Sequence, residues 1–469
     1  MKKLNNFTIL LCSLLLFSCS KELDQQPITS KSLTNFLKTE TEVEEYVNSV
    51  YGVLQLNGQY GVYLPVIGEI PSDNTFDEVP ANDGGIFGQL DQFTTVASNA
   101  MLSDNWKTSY QGIQGANIVL NRVDAINFTS ATVKQSRKGE MHFIRALIYF
   151  NLVRTFGDVP LVTKETTNPN EFFGQGRTPK DQVYTQIIDD LNNAVQELPA
   201  STATQGKAIK TAAQALLGKV YLTQGKFAES RTALTSVVSS GVHQLQANPA
   251  DIFSLTNENN NEIIFAVQFA SGINGNSEGS GAYQQFMPSG TVSGAKGHNL
   301  PTKPMYQLYS TADKRRTAYV GLSPAGVPFT NKLKASATTP ADGGSNMVVL
   351  RYADVLLMYA ECLNGLNRTS EAYPYVDRVR QRAGLATLTV AKPGLSQTQF
   401  LTQLKHERLT ELAGEGWRWA DLLRWGDLSP ALANRDPDFT GFIVGKNEYY
   451  PIPQNDIDLN ANLTQNPNF

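Results

Sequence analysis

Apolar side chains recur along most of the chain at three- and four-residue spacing. Ala213, Leu216, Leu217, Val220 and Tyr221 mark one face of a helix, and Tyr352, Val355, Leu356, Tyr359, Ala360 and Leu363 mark another. Thr178-Pro179-Lys180-Asp181 predicts a helix start, with a hydroxyl at the N-cap, proline at the first helical position and an acid in the first turn. That helix turns Val183, Ile187, Leu191, Ala194, Val195 and Leu198 inward, and Pro199 closes it. Only Glu262 to Phe269 reads as a short buried strand. The expected fold is therefore mainly α, with little β structure.

Several helices come as close pairs. Leu217-Gly218-x-x-Tyr221, followed by Gly225 and Phe227, matches the middle of a tetratricopeptide repeat. There a small residue lets two antiparallel helices approach, and Tyr221 and Phe227 fill the gap between them. Further pairs are expected around 105–156, 350–383 and 397–425, giving repeat units within 105–240 and 350–425. Between them lie stretches rich in Gly, Pro, Asp and Asn with scattered aromatics, over 57–100, 270–300 and 335–347. Loops this long in a compact domain tend to carry function, and a rigid helical scaffold would present them as a ligand surface. The loop-rich binding regions are placed at 57–100 and 270–345, within one domain spanning 41–469.

The first residues bear on the compartment. Lys2 and Lys3 precede the apolar run Ile9 to Phe17, which is shorter than the roughly 20 residues a membrane span needs. Leu16-Phe17-Ser18-Cys19 resembles the lipobox of bacterial lipoproteins, so residues 1–18 are expected to be a cleaved signal peptide. Cys19 is the expected lipidation site, and residues 19–40 a tether. Each buried methylene of an acyl chain adds about 0.8 kcal/mol of membrane affinity. Cys12 leaves with the signal, so Cys362 alone remains and no internal disulfide is expected. Its helical, apolar neighbours make Cys362 a core thiol, not a nucleophile. A net charge of −4 and the lack of a basic stripe with interleaved aromatics exclude a nucleic-acid partner.

Motifs along the whole length resemble the SusD/RagB family of nutrient-binding surface lipoproteins of Bacteroidota. They include Leu23-Asp24-x-x-Pro27, Glu69-x-x-Ser72-Asp73, Trp106-x-x-x-Tyr110 with Asn117, and Arg145-Ala146-x-x-Tyr149-Phe150 leading into Phe156-Gly157-Asp158-Val159-Pro160-Leu161. Arg351-Tyr352-Ala353-Asp354, Arg380-x-Arg382-Ala383-Gly384, Glu407-Arg408-x-x-Glu411-Leu412 and Arg418-x-x-Asp421-Leu422-x-Arg424-Trp425 follow in family order. The resemblance implies tetratricopeptide-like units packed against a loop-rich ligand-binding half. It also implies an outer-membrane protein, lipid-anchored and facing the exterior, that captures oligosaccharide or polysaccharide for a SusC-like TonB-dependent transporter. Lys21-Glu22 and Asp24 resemble the acidic export signal of such lipoproteins. A peptide ligand, or a scaffold role with no ligand, are the alternatives.

Catalysis, cofactors and metal ligands are not expected. His406-Glu407 lacks the second histidine of a zinc-protease helix. Glu407, Glu411 and Glu415 could pass for a catalytic cluster, but ion pairing with Arg408, Arg418 and Arg424 explains them more simply. The four tryptophans, Trp106, Trp417, Trp419 and Trp425, all sit in helical motifs and are assigned to the core. A sugar platform must then come from loop aromatics and amides. Asp73, Asn74, Phe76, Phe87, Phe93, Tyr283 and Phe286 are the candidate ligand-binding residues, with Tyr60, Tyr63, Asp77, Asn82, Asn274 and Asn276 as further candidates.

Overall fold

A computed structural model describes residues 36–168, 174–272, 278–335, 339–433, 435 and 441–469. Cys19, the signal peptide, most of the tether, Asn274 and Asn276 lie outside the described residues. The main helices are α1 (Glu40–Val53), α2 (Ala100–Arg122), α3 (Ala131–Phe156), α4 (Lys180–Glu197), α5 (Lys210–Thr223), α6 (Phe227–Ser239), α7 (Tyr352–Gly365), α8 (Thr369–Arg382), α9 (Gln397–Leu412) and α10 (Arg418–Trp425). The strands are β1 (Thr75–Phe76), β2 (Ile263–Val267), β3 (Leu300–Pro301), β4 (Val320–Leu322), β5 (Pro328–Thr330) and β6 (Met347–Arg351). They form three two-stranded antiparallel ribbons, β1–β3, β2–β6 and β4–β5. Among the described residues no helix is long and apolar enough to cross a membrane.

From α2 to α8 each helix lies against the next in sequence, so the hairpins stack into one array. The predicted glycine contact is real: a Cβ on Gly218 would sit 2.4 Å from Leu234 Cδ2, so α5 and α6 touch through that bare position. Ser230 Oγ adds a 2.7 Å bond to the Gly218 carbonyl. Phe227 reaches a further helix. Its ring covers Gly365, where a Cβ would meet it at 2.6 Å, so it also seals α6 against α7. Cys362 is fully buried there, its thiol 3.1 Å from Ser230 Oγ, and burial pushes it up to about 12.

Two helix predictions need correction. Thr178 does not cap α4, because its backbone is taken up in a β-bridge with Val159. Asp158 Oδ1 caps instead, accepting from the Lys180 amide at 2.8 Å across a long separation in sequence. The 397–425 pair is not a hairpin either. α9 lies on α7, α10 on α5, and an Arg408–Asp421 ion pair links the two.

The motif residues around α2 and α3 act as clamps. Tyr110 Oη donates to the Pro160 carbonyl at 2.8 Å, and Asn117 Nδ2 donates to the carbonyls of Val162 and Lys164. Arg145 binds Asp190 of α4, Asn117 Oδ1 and the Thr163 carbonyl. A buried guanidinium is tolerable only when so fully partnered. The result pins segment 157–166 across three helices and fixes the array's geometry.

Candidate functional site

The three loop stretches come together on the side of the scaffold formed by the ribbons. β1 pairs with β3, joining the first loop to the end of the second. Glu78 extends this join, its amide donating to the Gly297 carbonyl and its carboxylate accepting from the Ser289 amide. Ser280 and Gly343 exchange two backbone bonds of 2.8 and 2.9 Å, which ties in the third stretch.

His298 is the centre of the first junction. It is fully buried, with Nδ1 2.9 Å from Asp77 Oδ1 and Nε2 2.8 Å from Asp83 Oδ2. Its ring stacks on Phe87 at 3.7 Å and 6°, and Tyr63 meets the far side of the cluster edge-on. Lys296 Nζ closes on Asp83 at 2.8 Å. Hydrogen bonds from Lys296 and His298 hold the Asp83 carboxyl below its usual range. Asp83, Gly84 and Gly85 all have positive φ, a turn that a non-glycine residue seldom adopts. The two ion-paired contacts to Asp83 hold this tip in place.

Burial corrects several candidate ligand residues. Phe87 and Phe286 are each 2% exposed, and Phe93 is packed on Trp419 and Phe442, so none offers a ring face to a sugar. Tyr60 is buried with its hydroxyl bonded to Asn151. Asn74 is buried too, donating to Glu69 Oε2 at 3.1 Å. Asp73 is partly exposed, but Arg418 grips both its oxygens at 2.7 Å. Phe76 and Tyr283 remain half-buried, as do Tyr63 and Asn82. The misplaced aromatics have a common cause: these loops are long enough to need a core of their own, and the larger rings supply it.

Beside the base of the second loop lies a cleft of 580 Å³, walled by Gln55, Glu258, Asn259, Gln268, Glu278 and Asn346. Its amides orient one another: Asn259 and Gln268 pair through two bonds of 2.8 and 3.0 Å, and Gln55 Nε2 reaches the Gln268 carbonyl at 2.8 Å. Burial raises the Glu258 carboxyl. Fixed amides and carboxylates of this kind match the paired hydroxyls of a sugar. Gln268 was readable as the end of the predicted strand, but nothing in its local pattern signalled the cleft, which is assembled from distant segments.

The carboxylates that could suggest an enzyme are saturated. Glu411 is fully buried and accepts from Arg315, Arg351, Arg382 and the Tyr319 hydroxyl. Glu407 pairs with Arg315 and Arg380, and Glu415 with Arg351 and Lys332. Ion pairing is thus the right reading with the wrong partners. Arg408 goes to Asp354 and Asp421, Arg418 to Asp73 and Arg424 to Glu361 and Asp421. Neighbours in sequence were favoured, whereas a helix this deep meets charges from remote segments. Among the described residues no group of three or more His, Cys, Asp or Glu side chains is placed to hold a metal ion.

Residues 326–469 match the family model described as the SusD family, and residues 23–222 match one described as starch-binding associating with outer membrane. The chain belongs to the SusD family. A SusD-like protein of Formosa agariphila is 28% identical, with 96% of this chain and 95% of that protein covered. A SusD-like protein of Bacteroides ovatus is 26% identical over 80% of each. Among solved structures, a laminarin-binding SusD-like protein superposes with a TM-score of 0.81 at 28% identity, covering 92% of this chain and all of that one. Surface glycan-binding protein A from Bacteroides fluxus gives 0.80 at 22% identity over the same shares, a likeness of fold. The helix-rich SusD fold expected from the sequence is the fold observed.

Proposed function

We propose that this chain is a non-catalytic glycan-binding lipoprotein of the outer membrane that captures oligosaccharide or polysaccharide at the cell surface and delivers it to a SusC-like TonB-dependent transporter. The observation that carries the reading is the convergence of three polar loop stretches on one stacked helical scaffold. They are held there by the His298 junction, with the amide-walled cleft alongside. Rigid support lowers the entropy lost when a flexible ligand is held. The likeness to a laminarin-binding protein at 28% identity supports a glycan as the ligand. Phe76, Tyr63 and Tyr283 are the aromatic side chains proposed to meet sugar rings, with Asn82 and the cleft amides taking hydroxyls.

Cys19 is the proposed acyl attachment point, and the helical array the proposed face toward the transporter. The saturated state of Glu407, Glu411 and Glu415 supports binding without chemistry, because glycoside hydrolysis needs two carboxylates open to the sugar. Protein lacking residues 1–19 tests the ligand reading by affinity electrophoresis in gels cast with a polysaccharide panel that includes laminarin. Retardation in at least one gel is expected. Binding of peptides in place of every glycan would overturn it.

A further inference from the structure

A second cleft, of 670 Å³, opens on the helical array where the C-terminal end of α3, the start of α4, the end of α5 and α10 meet. That volume suits a ligand of one or two sugar rings. Its wall carries Arg154, Lys180 and Lys226 against one acid, Asp181, on a chain whose overall charge is −4. Arg424 also reaches the wall, but Glu361 and Asp421 neutralise it.

Arg154 is half-buried and differs from the arginines that acids hold in the core. Its guanidinium is held between the Phe150 and Trp417 rings, each centroid 4.6 Å from Cζ. Nε donates to the Phe150 carbonyl at 3.2 Å and Nη2 to Asn151 Oδ1 at 2.5 Å. Among the described residues no carboxylate is ion-paired with it, whereas Arg145, Arg315, Arg351, Arg382, Arg408 and Arg424 are each matched by acids. Burial pulls Arg154 below its ordinary range, so surrounding acids do not compensate the lost hydration. Two aromatic rings flank the fork, and among the described residues Nη1 donates to no acceptor.

We propose that this cleft binds an acidic sugar, with the fixed Arg154 fork receiving its carboxylate and Lys180 and Lys226 adding charge at the rim. A flat guanidinium already held by two hydrogen bonds matches two oxygens of such a group and has less side-chain entropy left to lose. The site is separate from the loops and goes beyond the glycan capture proposed above.

The test uses protein lacking residues 1–19, the expected signal peptide and its acylated cysteine. Sodium glucuronate, glucose and sodium sulfate are titrated separately by calorimetry at low salt. Saturable binding of glucuronate without binding of glucose is expected, weakened about tenfold or more by Arg154→Met. Arg154→Lys should weaken it as well, since charge remains but the fork is lost. If Arg154→Met fails to fold, the rim pair Lys180→Gln with Lys226→Gln reads the same site and should lower affinity several-fold. No glucuronate binding, binding of sulfate alone, or affinity indifferent to these variants would overturn the proposal. Because glucuronate is tested without the loop ligand, failure here is distinguishable from failure of the loop-face reading.

Discussion

Replacing Glu411 with glutamine removes a charge and keeps the volume, and its cost follows from the geometry. The wild-type carboxylate is fully buried and takes bonds of 2.6 Å from Arg351, 3.0 Å from Arg315 and 2.9 Å from the Tyr319 hydroxyl, with Arg382 closing the set. Burial opposes its ionisation, but Arg382, Arg351 and Arg315 outweigh that and hold the carboxyl well below the usual range. In Glu411→Gln the guanidinium groups face an amide that offers N–H groups where they need an acceptor. Breaking a buried ion pair from one side costs about 3–5 kcal/mol, a large share of a typical total of about 5–15 kcal/mol. Urea unfolding followed by circular dichroism should show an unchanged slope. With a slope of about 3 kcal/mol per molar, the midpoint should fall by about 1 M or more. The depressed carboxyl also fixes the sign with pH. Its contribution is fully present above the unfolded value and is lost as pH falls through the folded one, so the variant's deficit should persist at neutrality and shrink only in strong acid. A deficit below about 1 kcal/mol at pH 7 would refute the claim that these carboxylates are held by mutual pairing.

Three further outcomes are expected. Burial pushes the Glu69 carboxyl up to about 7 although Asn74 and the backbone amides of Trp417 and Arg418 pull it back. A raised acid stabilises fully below the unfolded value and loses that contribution as pH rises through 7, so Glu69→Gln should flatten the fall in unfolding free energy between about pH 4.5 and 7 by on the order of 3 kcal/mol; an unchanged slope would contradict it. Gly218→Val should destabilise by about 1–3 kcal/mol in thermal melts, because the added atoms drive α5 off Leu234; a neutral effect would deny the close approach. His298→Ala should speed amide hydrogen exchange in 76–86 and 283–299 and leave α5 to α8 unaffected, since it cuts the junction without touching the array; uniform loosening would place its role elsewhere.

Helical periodicity was legible because it is local: a stripe such as Val183, Ile187, Leu191 and Ala194 must be buried if the helix forms at all. The Gly218 contact was legible for the same reason. Long-range polar chemistry was not. Asp158 capping α4, Arg145 reaching Asp190 and Glu411 collecting three arginines all join segments whose proximity no spacing encodes. The loops posed the opposite problem. Their aromatic content was visible, but an aromatic loop ring can face a ligand or form a local core. Phe87 and Phe286 chose the core, and the buried partner that decides it for Phe87, His298, lies far away in sequence. Asp83 and His298 carried a faint signal, an acid before two glycines and an imidazole flanked by Gly297 and Asn299, which marks tight turns but not their pairing.

The most direct test of the central claim is glycan binding by the loop face itself. Protein lacking residues 1–19 would be titrated by calorimetry with whichever polysaccharide retards it on gels, beside Tyr283→Ala and Phe76→Ala. The account predicts measurable affinity for at least one glycan, reduced about fivefold or more in one or both variants, as expected when a stacked ring worth about 1 kcal/mol is removed, with the melting temperature kept. Absence of binding across the panel, or wild-type affinity in both variants, would contradict it.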